Sequence, residues 1–155
     1  MNSKILLIDE DPSVASALTG VLESEGFDVV HEPTTDEALA AFRLHGDFAL
    51  VLLDVSASDE DGWNAFDRLS RLDPLVPIFV LTAESHQQAQ ADAAGVDALM
   101  EKPPHIPRML ETIRCLLSGR RTFRPQRTAV ASADRPGAEL LPITRFARHR
   151  LHVLP

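Results

Sequence analysis

One cysteine, Cys115, is all the chain contains, and a single thiol excludes an internal disulfide framework. It falls in the apolar-periodic stretch Ile113-Arg114-Cys115-Leu116-Leu117, the setting of a helix core residue rather than of a nucleophile. No run approaches the roughly 18 consecutive apolar residues that a membrane-spanning helix needs, and residues 1–20 lack a basic start followed by an apolar stretch. A soluble, cytoplasmic protein with no membrane partner is therefore expected. Internal repeats are absent, and so is any helix-turn-helix pattern.

What is present is an uneven distribution of charge. Across 155 residues the formal net charge is −8, but residues 1–118 carry 7 Lys and Arg against 21 Asp and Glu, a net −14. Residues 119–155 carry 8 Arg, no Lys and two acids, Asp134 and Glu139, a net +6. The acidic body disfavours contact with nucleic acid phosphates, whereas the arginine-rich tail suits any acidic partner, its own body included. With 45% hydrophobic residues the chain can bury one substantial core. Beyond Ser118 the composition turns to Arg, Pro, Thr, Ala and Ser and helical periodicity stops, so residues 1–118 are expected as one domain and 119–155 as an irregular Arg/Pro-rich tail without a second domain.

Within the body, short apolar runs alternate with longer helix-periodic stretches, the pattern of an α/β fold with a parallel sheet. Strands are expected at 4–8, 28–31, 49–53, 78–81 and 98–100, and helices near 13–25, 35–45, 63–72, 85–94 and 106–118. The first, third and fourth strand candidates are almost wholly apolar, as central strands buried on both faces should be. Gly26, Gly46 and Gly95 each stand where a helix hands over to a strand.

In such a doubly wound sheet the active crevice lies beyond the carboxyl ends of the strands. There the first strand ends in Asp9-Glu10-Asp11, the third in Asp54 and the fourth in Thr82, while Lys102-Pro103 follows the fifth. Carboxylates gathered on one rim repel unless a lysine and a hard divalent cation balance them. Each residue also has a plainer reading. Asp9-Glu10-Asp11-Pro12 suits a helix start, although Asp11 alone can serve as cap; Asp54 suits a turn, Thr82 a helix cap, and Lys102 a surface charge. His31, His45, His86 and His105 read as ordinary helix or loop residues and receive no role.

Four segments together resemble the response-regulator receiver domains of two-component signalling, over about residues 3–118. They are Ile5-Leu6-Leu7-Ile8-Asp9-Glu10-Asp11-Pro12, Leu52-Leu53-Asp54 followed by Asp61-Gly62, Leu81-Thr82-Ala83, and Glu101-Lys102-Pro103. The resemblance implies a five-stranded parallel sheet in the order 2-1-3-4-5 with helices on both faces. It also implies that Asp54 is a phosphoacceptor, served by a histidine kinase or phosphotransfer protein and forming an acyl phosphate. Mg²⁺ would be held by Asp9, Glu10, Asp54 and the backbone carbonyl of Ser56, with Lys102 and Thr82 meeting the phosphoryl oxygens. Ser56 and Glu84 match positions that tune phosphoryl lifetime. A downstream protein target is expected, with a homodimer left open.

The match departs from the family in three places. Ala57 and Ser58 replace a usual methionine-proline pair, beside an acidic Asp59-Glu60-Asp61 run. Leu99 stands where an aromatic residue usually reports the phosphorylated state, and Pro104 follows Lys102-Pro103, a bond often cis in relatives. A dehalogenase-type hydrolase would need an acid at position 56, where Ser stands, and a flavodoxin-like carrier would need a phosphate loop that Asp9-Glu10-Asp11 would repel. Two further alternatives are a receiver-like adaptor that no longer switches and a regulator whose basic tail contacts nucleic acid.

Overall fold

Five short segments become the parallel strands β1 (Lys4–Ile8), β2 (Asp28–Glu32), β3 (Leu50–Val55), β4 (Ile78–Thr82) and β5 (Ala98–Glu101). They belong to a computed structural model that describes residues 2–55, 60–83, 95–119 and 129–130. The sheet order is β2-β1-β3-β4-β5, as expected, and its connections include the helices α1 (Pro12–Ser24), α2 (Thr35–His45) and α3 (Glu60–Leu72). A further helix, α4 (Ile106–Leu117), follows β5. The helix expected near 85–94 lies outside the described residues, as do Ser56, Ala57, Ser58, Asp59, Glu84 and His86. No helix among the described residues is long and apolar enough to cross a membrane.

Period-two alternation splits the strand residues between two cores. Leu6, Ile8, Val51, Leu53, Ile78, Val80 and Leu99 join Leu39, Phe42 and Phe66 of α2 and α3 on one face. Ile5, Leu7, Leu50, Leu52, Phe79, Leu81 and Met100 join Leu18, Leu22, Met109 and Ile113 of α1 and α4 on the other. Burying apolar surface on both faces is what holds five short strands in one sheet, at about 25 cal/mol for each Å² removed from water.

Helix limits follow from caps. The Asp11 carboxylate accepts the N–H groups of Ser13 at 2.8 Å and Val14 at 3.3 Å, with Pro12 opening α1. Thr34 caps α2 through the Glu37 N–H and donates its own hydroxyl to the Glu37 carboxylate at 2.8 Å. Gly46 ends α2 at φ 66°, a left-handed conformation that favours glycine, and its N–H donates to the Phe42 carbonyl at 2.9 Å.

Ala129–Val130 forms a short sixth strand, β6, parallel to β5 with Leu99 opposite Ala129 and Met100 opposite Val130. The cause lies in the partner: without β6, β5 would be an edge strand with unpaired backbone groups, a ready template for any extended segment nearby.

Candidate functional site

β1 connects to β2 on one side of the sheet, whereas β3 pairs with β1 on the other, so the chain reverses direction across the sheet between β1 and β3. A crevice opens above their carboxyl ends. Asp54 continues the alternation of Leu50 and Leu52 along β3, and Asp9 continues that of Ile5 and Leu7 just past β1. Both carboxylates therefore turn to the α1 side of the rim. Lys102, in phase with Ala98 and Met100, arrives from the end of β5.

The three side chains meet. Lys102 Nζ lies 2.8 Å from Asp54 Oδ1 and 3.4 Å from Asp9 Oδ2. Asp9 is only 2% exposed, and its other oxygen accepts the Asp11 N–H at 2.9 Å. Lys102 is anchored at its base, where its N–H donates to the Thr82 carbonyl at 2.7 Å, and its peptide bond to Pro103 is cis, as expected. Burial pushes the Asp54 carboxyl above the ordinary carboxylate range; the Lys102 ammonium opposes that shift and the nearby Asp9 carboxylate adds to it.

The remaining expected residues are placed differently. Glu10 is exposed and borders the same pocket without joining the cluster, while Asp11 is occupied as the α1 cap. Thr82 is buried at the end of β4, where it pairs in register with Val55. Ser56 lies outside the described residues. His105 caps α4, its Nδ1 accepting the Arg108 N–H at 3.4 Å, and His45 rests edge-on against Phe48. His31 is different. Its Nε2 lies 2.9 Å from the Asp9 backbone carbonyl, which puts it directly behind the acidic cluster.

The pocket has a volume of about 570 Å³ and extends past the cluster to residues that the motifs do not include: Thr34 and Thr35 at the start of α2, and Asn64 and Arg68 on α3. Arg68 is paired with Asp36 at 3.1 Å. The strand-end rule, applied to β2 as well as to β1 and β3, would have pointed to Thr34 and Thr35. Arg68 and Asn64 carry no such signal, because α3 brings them to the pocket from the helix layer.

The donor chemistry suits magnesium. Two carboxylates already converge on a cation, the Lys102 ammonium, and Glu10 borders the same space. No three acidic or imidazole side chains among the described residues come close enough to form a complete cage. Magnesium needs only one or two carboxylates and keeps several waters, so this set fits it.

Residues 5–114 match the response regulator receiver domain. The DNA-binding response regulator MtrA of Mycolicibacterium smegmatis is 44% identical over 122 residues, 76% of this chain and 51% of that protein. The transcriptional regulatory protein ZraR of Salmonella typhimurium is 32% identical over 132 residues, 84% of this chain and 30% of that protein. The chain thus spans between about a third and about half the length of these curated relatives. Among solved structures, a CheY-like receiver domain protein from Methanospirillum hungatei superposes with a TM-score of 0.69 at 27% identity, covering 76% of this chain and 95% of that one. Because the matched segment covers more than half of the chain, from within β1 into α4, the chain belongs to the response regulator receiver domains, the phosphoacceptor switches of two-component signalling.

Proposed function

We propose that Asp54 is the phosphoacceptor and that the donor is the phosphohistidine of a histidine kinase or phosphotransfer protein. A carboxylate oxygen of Asp54 attacks phosphorus, the P–N bond breaks, and the departing imidazole takes its proton from solvent. Lys102 contributes twice. Before transfer it favours the ionised, nucleophilic form of a carboxylate that burial would otherwise neutralise. After transfer the same ammonium is within reach of the phosphoryl oxygens. Thr82 donates its hydroxyl to one of those oxygens, and that new bond is the switch.

Asp9, Glu10, Asp54 and the Ser56 backbone carbonyl would hold Mg²⁺ in this reading. Magnesium, when bound, supplies charge neutralisation for the transferred phosphoryl group. Asp9 is suited to its part because burial and the Asp11 N–H keep its carboxylate in one orientation. The chain promotes only its own phosphorylation and dephosphorylation and is otherwise a signalling component of the cytoplasm. Its output runs through contacts with a downstream protein or a second copy. Leu99, buried beside Val80 and Val96, transmits the change by repacking rather than by the swing of an aromatic ring. Residues 1–118 form the receiver and 119–155 an arginine-rich tail.

The observation that carries this reading is the single ammonium spanning Asp54 and Asp9 at the switch point of the sheet. Its test is incubation with a small acyl-phosphate donor, followed by intact mass measurement. The native chain should gain one phosphoryl group only when Mg²⁺ is present, and Asp54→Asn should gain none. A native chain that stays unmodified with Mg²⁺ would favour a receiver-like adaptor that does not switch.

A further inference from the structure

His31 lies on β2, opposite Leu7 in the parallel register, one residue before the position where β1 and β2 stop pairing. At that point the Asp9 N–H still reaches the Glu32 carbonyl at 3.3 Å. The Asp9 carbonyl instead meets a side chain, the His31 imidazole, with Nε2 at 2.9 Å. A carbonyl oxygen only accepts, so Nε2 carries the proton and donates. Three groups of Asp9 are thus held from three sides: its N–H by β2, its carboxylate by the Asp11 N–H and Lys102, and its carbonyl by His31.

The carbonyl matters because rotating that one peptide would swing the first turn away from β1. The carboxylates of Asp9 and Asp54 repel each other, and both must still face one cation. A residue just past a strand end lacks the regular ladder that would resist this repulsion. We infer that His31 is a positioning residue for divalent-cation binding: by holding the Asp9 peptide it keeps the Asp9 carboxylate directed at Asp54 and Lys102. The inference rests on the magnesium reading above but concerns a residue outside the motif set, on a neighbouring strand.

Repulsion between the two carboxylates acts on this held turn, so losing the bond is expected to weaken Mg²⁺ binding more than it weakens the fold. A single hydrogen bond of ordinary net strength corresponds to roughly a three- to tenfold change in affinity. The full-length chain would be titrated with MgCl₂ and followed by amide chemical shifts, for the native protein, His31→Asn and His31→Gln. Glutamine places an N–H donor near the position of Nε2, and asparagine is too short to reach the carbonyl. The inference expects weaker binding by that factor in His31→Asn, recovery to within about twofold in His31→Gln, and similar melting temperatures for both variants in EDTA. Equal affinities in all three proteins would overturn it. So would a matched loss of melting temperature in EDTA with unchanged affinity, which marks a purely structural bond. A native chain showing no saturable shifts would overturn the magnesium reading itself, and with it this extension.

Discussion

Replacing Lys102 with methionine keeps the side chain's length and removes its charge, leaving Asp54 and Asp9 facing each other without their shared cation. The ammonium lies 2.8 Å and 3.4 Å from the two carboxylates, and the three side chains are 22%, 16% and 0% exposed for Lys102, Asp54 and Asp9. Taking one partner from a buried ionic cluster costs about 3–5 kcal/mol, and the partial exposure of Lys102 favours the lower end. For a domain of this size about 3 kcal/mol is roughly a 10 °C fall in melting temperature in metal-free buffer near pH 7. The loss should be coupled to Asp54. In the double variant Lys102→Met/Asp54→Asn the repulsion is gone, so at least half of the fall should be recovered. Acid should act in the same direction, since protonating Asp54 removes what Lys102 compensates; the gap between native and Lys102→Met narrows as pH falls toward about 4. Melts of the four members of this cycle measure the effect. A fall of less than about 3 °C, or single-variant effects that simply add, would refute the claim that Lys102 holds the two carboxylates together.

Two other outcomes follow from the same structure. The Asp54 carboxyl lies above its ordinary value of 3.8, so the native state binds more protons than the unfolded chain just above that value, and stability contributed by this group is lost as pH rises through the shifted range. Asp54→Asn should therefore raise the melting temperature near pH 7 and by much less near pH 4; an equal gain at both would contradict the sign. Asp97, 6% exposed, accepts the Ile78 N–H at 2.9 Å and satisfies the first amide of β4. Asp97→Ala should cost about 1–3 kcal/mol in urea denaturation and Asp97→Asn less, because the amide oxygen still accepts.

The parts of the fold that were legible are those set by burial and local chemistry. Strands buried on both faces announce themselves as apolar runs, so β1, β3 and β4 stand within two residues of their expected limits. Asp11 and Gly46 were readable because caps and left-handed turns constrain residue type. Asp54 was expected just after its strand, yet it lies inside β3, since pairing with Leu81 carries the ladder past the apolar run. Asp9, Asp54 and Lys102 were legible as a cluster because strand ends converge in a parallel sheet. Properties that depend on register or on packing between layers were not. His31 reaches Asp9 only because β2 lies in one particular register beside β1. Arg68 and Asn64 arrive from α3 without any motif. β6 consists of two residues in a tail without periodicity, and what defines it is the edge of β5.

The claim on which the rest depends is that the Asp54 carboxylate takes the phosphoryl group. Treating the phosphorylated full-length chain with borohydride reduces an acyl phosphate to a primary alcohol, which converts the modified aspartate to homoserine, and peptide mass spectrometry then locates it. Homoserine at position 54, present with Mg²⁺ and absent without it, is the predicted result. Homoserine at Asp9 or Asp11, or at no position in a chain that carries phosphate, would contradict the account.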